Sequence, residues 1–261
     1  MSNAIITTGR KSQIESITLA KKIAIKLKIP FVDRKNLPIN ELAELYNVTN
    51  VLVAKKNSLH LISSGNEIFF HPSLSHLRIK NLINGEGDRM VEAMSLTRGM
   101  KVLDCTLGLG SDAIVESFVT GDEGNITAIE INPYLTAIVD YGLQTFIDER
   151  NEVTEAMRRI HVVNAVYLDF LKSAATNSFD VVYFDPMFRH ALERSCSLKP
   201  LREIVDHSAV SLNAINEACR VAKFKVVLKE NAKSLEFERL GFKNIYGGKY
   251  SPIKYGIIET L

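Results

Sequence analysis

Two patterns of apolar residues alternate along this chain: stretches in which they recur every third or fourth position, and shorter runs that are continuously apolar. Ile14, Ile17, Leu19, Ala20, Ile23, Ala24 and Leu27 follow the helical period up to the break at Pro30. Ser12 and Glu15 have the spacing of a capping box at the head of that helix. Ile5–Thr8 precedes it as a short strand, and a second helix is predicted from Pro38 to Tyr46, with the proline in its first turn. Asn50–Ala54, Leu59–Ser63 and Ile68–Phe70 are short apolar runs separated by Lys55-Lys56-Asn57 and Ser64-Gly65-Asn66, which predicts strands joined by hairpin turns. Residues 1–70 therefore read as a small N-terminal α/β module.

Residues 71–100 break the pattern. His71 to Asn84 is polar and basic, with Pro72, His76, Arg78 and Lys80, and leads through Gly85-Glu86-Gly87-Asp88-Arg89 into a helix from Asp88 to Ser95. A plain linker with a capped helix and a loop folding over a ligand mouth both fit this composition.

From Lys101 onward strands and helices alternate. Strands are predicted at Lys101–Cys105, Asn125–Glu130, Ile160–Asn164, Val181–Phe184, Phe224–Leu228, Lys243–Tyr246 and Tyr255–Ile258. Helices are predicted between them at Asp112–Val119, Pro133–Glu149, Ala165–Leu171, Val205–Val221 and Lys233–Leu240. Helical segments separate the first five strands, as a parallel sheet requires. Only Gly247 to Pro252 separates the last two, too short for a parallel crossover, so these pair antiparallel. Residues 101–261 form one α/β domain on this reading: a mostly parallel seven-stranded sheet with a C-terminal antiparallel hairpin.

The candidate chemistry lies at the carboxyl ends of these strands. The first strand runs into Asp104, Thr106, Gly108, Gly110, Ser111 and Asp112, a strand, glycine loop and helix of the kind that brings backbone N–H groups to a nucleotide-like ligand. Gly108-Leu109-Gly110-Ser111-Asp112-Ala113 matches the dinucleotide pattern, which by itself is weak evidence. Asp104, four residues ahead of Gly108, points away from a nicotinamide cofactor and places a carboxylate toward the amino-acid end of a ligand. Glu130 ends the second strand ~20 residues after the glycine loop, where an acidic side chain accepts hydrogen bonds from ribose hydroxyls. Ile131 and Ala165-Val166 follow the second and third strands and would meet an adenine. Asp185-Pro186-Met187-Phe188 follows the fourth. An exocyclic amine conjugated with a base ring is a poor nucleophile; a carboxylate and a neighbouring carbonyl accepting from its two N–H groups aim it, and an aromatic residue stacks on the base. Arg189 and His190 are further candidates for RNA phosphate or the target base, although a lone histidine after a loop is more often solvated; Lys229, ending the fifth strand, faces the acceptor or only caps the sheet edge.

Composition narrows the class. The 261 residues are 46% hydrophobic and carry a net charge of +2. The charge is uneven: residues 1–95 hold 13 Lys and Arg against 8 Asp and Glu, the rest 19 against 22. The basic excess suits an RNA-facing surface and equally an ordinary solvated face. Cys105, Cys196 and Cys219 are too scattered for a disulfide framework or a metal pair, and no metal is expected. No run approaches the roughly 20 apolar residues of a membrane span and the first residues lack a signal-type apolar core, so a cytoplasmic location is the default expectation.

The run from Asp104 to Pro133, the Asp185-Pro186-Met187-Phe188 motif, and Arg78-Ile79-Lys80 ahead of a Gly-x-Gly together resemble the RsmJ-type small-subunit rRNA guanine-N2 methyltransferases. The resemblance implies a Rossmann-like class I methyltransferase fold, S-adenosyl-L-methionine as methyl donor with S-adenosyl-L-homocysteine as product, and ribosomal RNA or the small ribosomal subunit as partner. It also implies contacts to the donor from Ser111-Asp112, Glu130-Ile131, Val166-Tyr167 and Asp185. On an RNA substrate, the N-terminal module and the His71–Arg89 connector are expected to supply the RNA contacts through Arg78, Lys80 and Arg89. Where that family continues its motif with Pro-His-Lys, this chain has Arg189-His190-Ala191. A methyltransferase acting on a protein side chain or small metabolite, and a non-catalytic RNA-binding or assembly protein keeping the fold, are the competing readings; a nicotinamide oxidoreductase is the weakest.

Overall fold

The structure is a computed structural model, and it describes residues 3–10, 12–186 and 209–260. The chain divides into two compact units, one holding residues 3–71 and 132–147, the other residues 72–131, 148–186 and 209–260. Among the described residues no helix is long and apolar enough to cross a membrane.

The first unit is a four-stranded sheet in the order β1 (Ala4–Thr8), β2 (Asn50–Ala54), β3 (Leu59–Ser63), β4 (Asn66–Phe69). β1 pairs parallel with β2 through the crossover of α1 (Ile14–Leu27) and α2 (Ile39–Tyr46), and the two hairpins expected from the turn residues pair antiparallel. Ala20, Ile23 and Ala24 form the buried stripe of α1, while Ile5, Val32, Leu42, Val51 and Val53 cluster in the sheet core. The helix start differs from the expected Ser12/Glu15 box by one residue. Gln13 is the cap, and its N–H donates to the buried Ser16 hydroxyl at 3.0 Å, because the helix begins at Ile14 and a hydroxyl three residues on satisfies the orphan donor. α6 (Pro133–Thr145) also belongs to this unit and packs on β3 and α1. Gly142 lets it approach closely: a Cβ there would lie 2.2 Å from the ring of Phe70.

The second unit is a seven-stranded sheet in the order β10 (Asn244–Tyr246), β11 (Ile253–Glu259), β9 (Ala222–Asn231), β8 (Phe179–Phe184), β5 (Lys101–Asp104), β6 (Asn125–Glu130), β7 (Ile160–Asn164). β5 through β9 are parallel; β11 runs antiparallel to both β9 and β10. The expected mostly parallel sheet with an antiparallel hairpin is therefore what the chain forms. Its helices are α3 (Ser73–Ile83), α4 (Arg89–Met94), α5 (Ser111–Thr120), α7 (Asn151–Arg158), α8 (Tyr167–Ser173), α9 (Leu212–Val221) and α10 (Glu236–Arg239). Leu103, Val182, Phe184, Val226 and Leu228 are fully buried strand residues against Ala214, Ala218 and Val221 of α9.

Two helices depart from the expected pattern. α3 occupies residues read as a polar connector, because its buried side is Ser75 and Ile79 with the inward-turned Arg78, while Leu74 and Leu77 are 63% and 54% exposed. The single helix expected from Pro133 to Glu149 is broken after Thr145. Phe146 is extended, and Asp148 accepts from both His76 and the Arg150 N–H, which turns the chain into α7.

Candidate functional site

The residues singled out in the sequence converge where β5, β6, β7, β8 and β9 end. Parallel strands present their carboxyl ends on one edge, and loops there are the natural place for a ligand. β5 delivers Asp104, which is 1% exposed and accepts from the Thr106 N–H at 2.8 Å. The Thr106 hydroxyl in turn accepts from the Asp185 N–H at 2.6 Å, tying the loop after β5 to the loop after β8. Gly108 and Gly110 have φ of 53° and 81°, the left-handed region in which a side chain is strained, so glycine at both positions sets the turn into α5. The Gly108 N–H donates to Glu130 at 3.2 Å, holding that carboxylate against the loop. Asn164 ends β7 and donates to the carbonyls of Glu130 and Ile131 at 2.8 and 3.0 Å, which brings residues 164–166 alongside 130–131. Ile131 and Val166 remain 41% and 42% exposed, two branched apolar side chains on adjoining loops. Ala165 is partly buried, and Tyr167 packs edge-on against Phe184 at 5.6 Å.

Asp112, second residue of α5, is the hub of a charged network. It accepts from Tyr183 at 2.8 Å and Lys229 at 2.9 Å, and pairs with Arg78. Lys229 continues to Asp185 at 2.7 Å. Arg78 also forks onto Asp88 at 2.7 and 3.0 Å, and Asp88 caps α4 by accepting from Met90 and Val91. Negative and positive groups thus alternate from Asp88 through Arg78, Asp112 and Lys229 to Asp185. Burial pushes the Asp112 carboxyl up, but Lys229 and Arg78 outweigh it and hold the group well below the carboxylate range. Burial pushes Asp185 up to about 6 against the pull of Lys229, with Asp112 adding repulsion. Asp104 is pushed up to about 7 by burial, and the charges of Asp112 and Asp185 add to the rise. Glu116, one helical turn beyond Asp112, is completely buried with both carboxyl oxygens unpartnered among the described residues; burial, then Asp104 and Asp112, raise its proton affinity well above the usual carboxylate range.

The remaining expected residues are placed as follows. Arg78 is turned inward onto two carboxylates, so the expected RNA contact gives way to an organising role. Lys80 on α3 and Arg89 at the head of α4 are exposed, and Arg89 lies against Gly248. Pro186 is half-buried. Met187, Phe188, Arg189 and His190 lie outside the described residues. Glu116, Tyr183 and Asp88 were not singled out in the sequence. The available signals were an acid inside the apolar helix Ala113–Val119 and a D-x-x-V start that fits a cap.

The groups at this edge that could hold a ligand with an amino acid at one end, a ribose and a purine are the loop backbone and acids near Asp104, the Glu130 carboxylate, and the uncovered Ile131 and Val166. A solved SAM-dependent methyltransferase from Neisseria gonorrhoeae superposes with a TM-score of 0.65, covering 98% of this chain and 96% of its own at 17% identity, which establishes the shared fold. "Uncharacterized protein YpiP" of Bacillus subtilis (strain 168) is 37% identical over 256 residues, 98% of this chain and 99% of its own. "Ribosomal RNA small subunit methyltransferase J" of Idiomarina loihiensis is 26% identical over 239 residues, 86% of each chain. The model of one family, described as "Putative SAM-dependent methyltransferase", matches residues 40–244, which span the glycine loop, Glu130, Asp185 and Lys229. With that span inside the match, the chain belongs to this family of S-adenosylmethionine-dependent methyltransferases.

Proposed function

We propose that the chain methylates the exocyclic N2 amine of a guanine in small-subunit ribosomal RNA. The observation that carries the reading is the Asp185 carboxylate, held at the end of β8 by Lys229 at 2.7 Å and with its own N–H fastened to Thr106. Bound S-adenosylmethionine supplies a methyl group on a sulfonium, open to in-line displacement. Asp104 and the backbone of Thr106 to Ser111 hold the amino-acid end, Glu130 accepts from the ribose hydroxyls, and Ile131 and Val166 take the two faces of the adenine. Asp185, ionised above pH 6 or so, accepts an N–H of the target amine and keeps its lone pair aimed at the methyl, which is catalysis by positioning. As nitrogen becomes cationic in the transfer, the same carboxylate is placed to relay its proton to water. Phe188 is the candidate stacking partner for the guanine by its place in the motif. The RNA acceptor is supported by the name and the 86% coverage of the Idiomarina relative.

The test is nucleoside mass spectrometry of small-subunit rRNA incubated with the protein and S-adenosylmethionine. N2-methylguanosine should appear with wild type and fall by about 100-fold in rate with Asp185→Asn, while calorimetric affinity for S-adenosylmethionine is kept. Methyl groups entering only protein or small amines, or an Asp185→Asn variant of full activity, would overturn the reading.

A further inference from the structure

The hairpin that closes the large sheet presents a surface that methyl transfer itself does not use. In β11, Tyr255 lies opposite Lys229 of β9, Lys254 opposite Glu230 and Ile253 opposite Asn231. The Ala232 N–H donates to the Pro252 carbonyl at 2.8 Å, extending the pairing to the turn. Since Lys229 touches Asp185, the 247–252 turn leaves the sheet at the same carboxyl edge as the proposed catalytic carboxylate.

That turn is braced, aromatic and basic. Lys254 donates to the carbonyls of Gly247 and Gly248 at 3.0 and 2.8 Å. The Arg89 guanidinium lies so close over Gly248 that a Cβ there would meet it at 2.6 Å. Tyr250 is 89% exposed, an aromatic side chain left in water on a pinned backbone, with the Lys249 ammonium 5.5 Å from its ring centre. Lys233, next to Ala232, and Lys249, three residues before Pro252, are exposed, and the Glu92 carboxylate accepts from the Tyr246 hydroxyl. An uncovered ring offers a face to any base, and flanking cations follow a phosphate backbone; this pairing is how single-stranded nucleic acid is held without sequence readout.

We propose that the 247–252 turn, with Tyr250, Lys249, Lys233 and Arg89, docks a single-stranded RNA segment flanking the target nucleotide. The inference rests on the RNA reading of the site, and gives Arg89 a defined place within it. An extruded guanine needs its neighbours held, and a stacking residue on a braced turn at the same edge of the sheet serves that need.

The probe is fluorescein-labelled oligouridylate, read by anisotropy, alongside methyl transfer to small-subunit rRNA. Tyr250→Ala should weaken oligouridylate binding about tenfold, and Tyr250→Phe should restore it. Lys249→Ala should lower the log–log salt dependence of binding by about 0.7. On rRNA, KM should rise with kcat and S-adenosylmethionine affinity unchanged. Wild-type affinity and salt dependence in a Tyr250→Ala/Lys249→Ala double variant would overturn the inference while leaving the proposed reaction standing. If the wild type methylates no rRNA, the proposed reaction fails by itself. In that case Tyr250-dependent oligouridylate binding still supports the surface, and a wild type that binds no oligouridylate, or prefers polyglutamate, overturns it.

Discussion

Lys229→Met removes the ammonium that Asp112 and Asp185 share at 2.9 and 2.7 Å. At an effective dielectric constant of about 20, each contact has a Coulomb energy of about 6 kcal/mol. Much of that is already offset by the desolvation of the three groups, and breaking a fully buried pair costs about 3–5 kcal/mol. Lys229, Asp112 and Asp185 keep 20%, 12% and 28% of their side-chain surface exposed, so screening brings the expected loss to about 2–3 kcal/mol. Asp112 retains Arg78 and Tyr183, whereas Asp185 loses the cation that opposes its burial. The variant therefore relieves the strain by protonating Asp185. In the wild type that carboxyl sits at about 6, and kcat/KM should fall as pH drops through that value because the accepting form is the carboxylate. At 1.36 kcal/mol per pH unit the lost interaction moves this acid limb upward by about 1.5–2 units. Methyl transfer measured from pH 5 to 9, with circular dichroism to certify folding, reads the shift directly, and Lys229→Arg should restore most of it. An acid limb at its wild-type position in a folded Lys229→Met protein would refute the argument.

Other substitutions test the remaining contacts. Asp104→Asn keeps an acceptor for the Thr106 N–H but removes a carboxyl whose folded-state pKa is raised to about 7. A raised acid stabilises the fold below its unfolded pKa and loses that contribution as pH rises through 7. The variant should therefore melt like wild type near pH 3.5 and higher, by about 1–3 kcal/mol, at pH 8, while binding S-adenosylmethionine more weakly; equal melting at pH 8 would count against the burial argument. Arg78→Met leaves Asp88 without its cation and Asp112 with Lys229 and Tyr183 alone, and thermal unfolding should show a loss of about 3 kcal/mol. Its residual folded fraction should keep the wild-type KM for RNA, since the guanidinium faces inward. Gly142→Ala drives a methyl group into Phe70 at 2.2 Å and should cost about 1–2 kcal/mol after the gain in helix propensity; a combined loss smaller than the sum of the single losses in Gly142→Ala/Phe70→Ala, which removes Cγ and the ring, would show that the clash is the cause.

What could be read in the sequence follows from which forces act locally. β6 and β7 were placed at their exact bounds because each is an apolar run ended by an acid or amide at a turn. The glycine loop was legible because positive φ at Gly108 and Gly110 demands a residue type that the sequence displays. α3 was not, because its buried side carries one fully buried apolar residue, Ile79, and is otherwise held by a hydroxyl and ion pairs: Ser75 reaches Ser111, and Arg78 reaches partners 10 and 34 residues away. The break between α6 and α7 was hidden for the same reason, depending on His76, 72 residues from Asp148. The alternation of charge through Asp88, Arg78, Asp112, Lys229 and Asp185 draws on four separated segments, so no window of sequence contains it.

The path of the chain around α6 bears on how this protein can be cut. After Ile131 the backbone leaves the large unit, builds α6 on β3 and α1, and returns at Asp148. The border between the units is thus crossed repeatedly and has no single scissile point. A fragment starting at residue 71 would carry α6 away from β3 and α1, the elements of the first unit on which it packs. A fragment ending at residue 70 would bare β3 where that helix belongs. Limited proteolysis that nicks an exposed loop should leave the pieces associated, and separately expressed halves should recover a core only when they are made together.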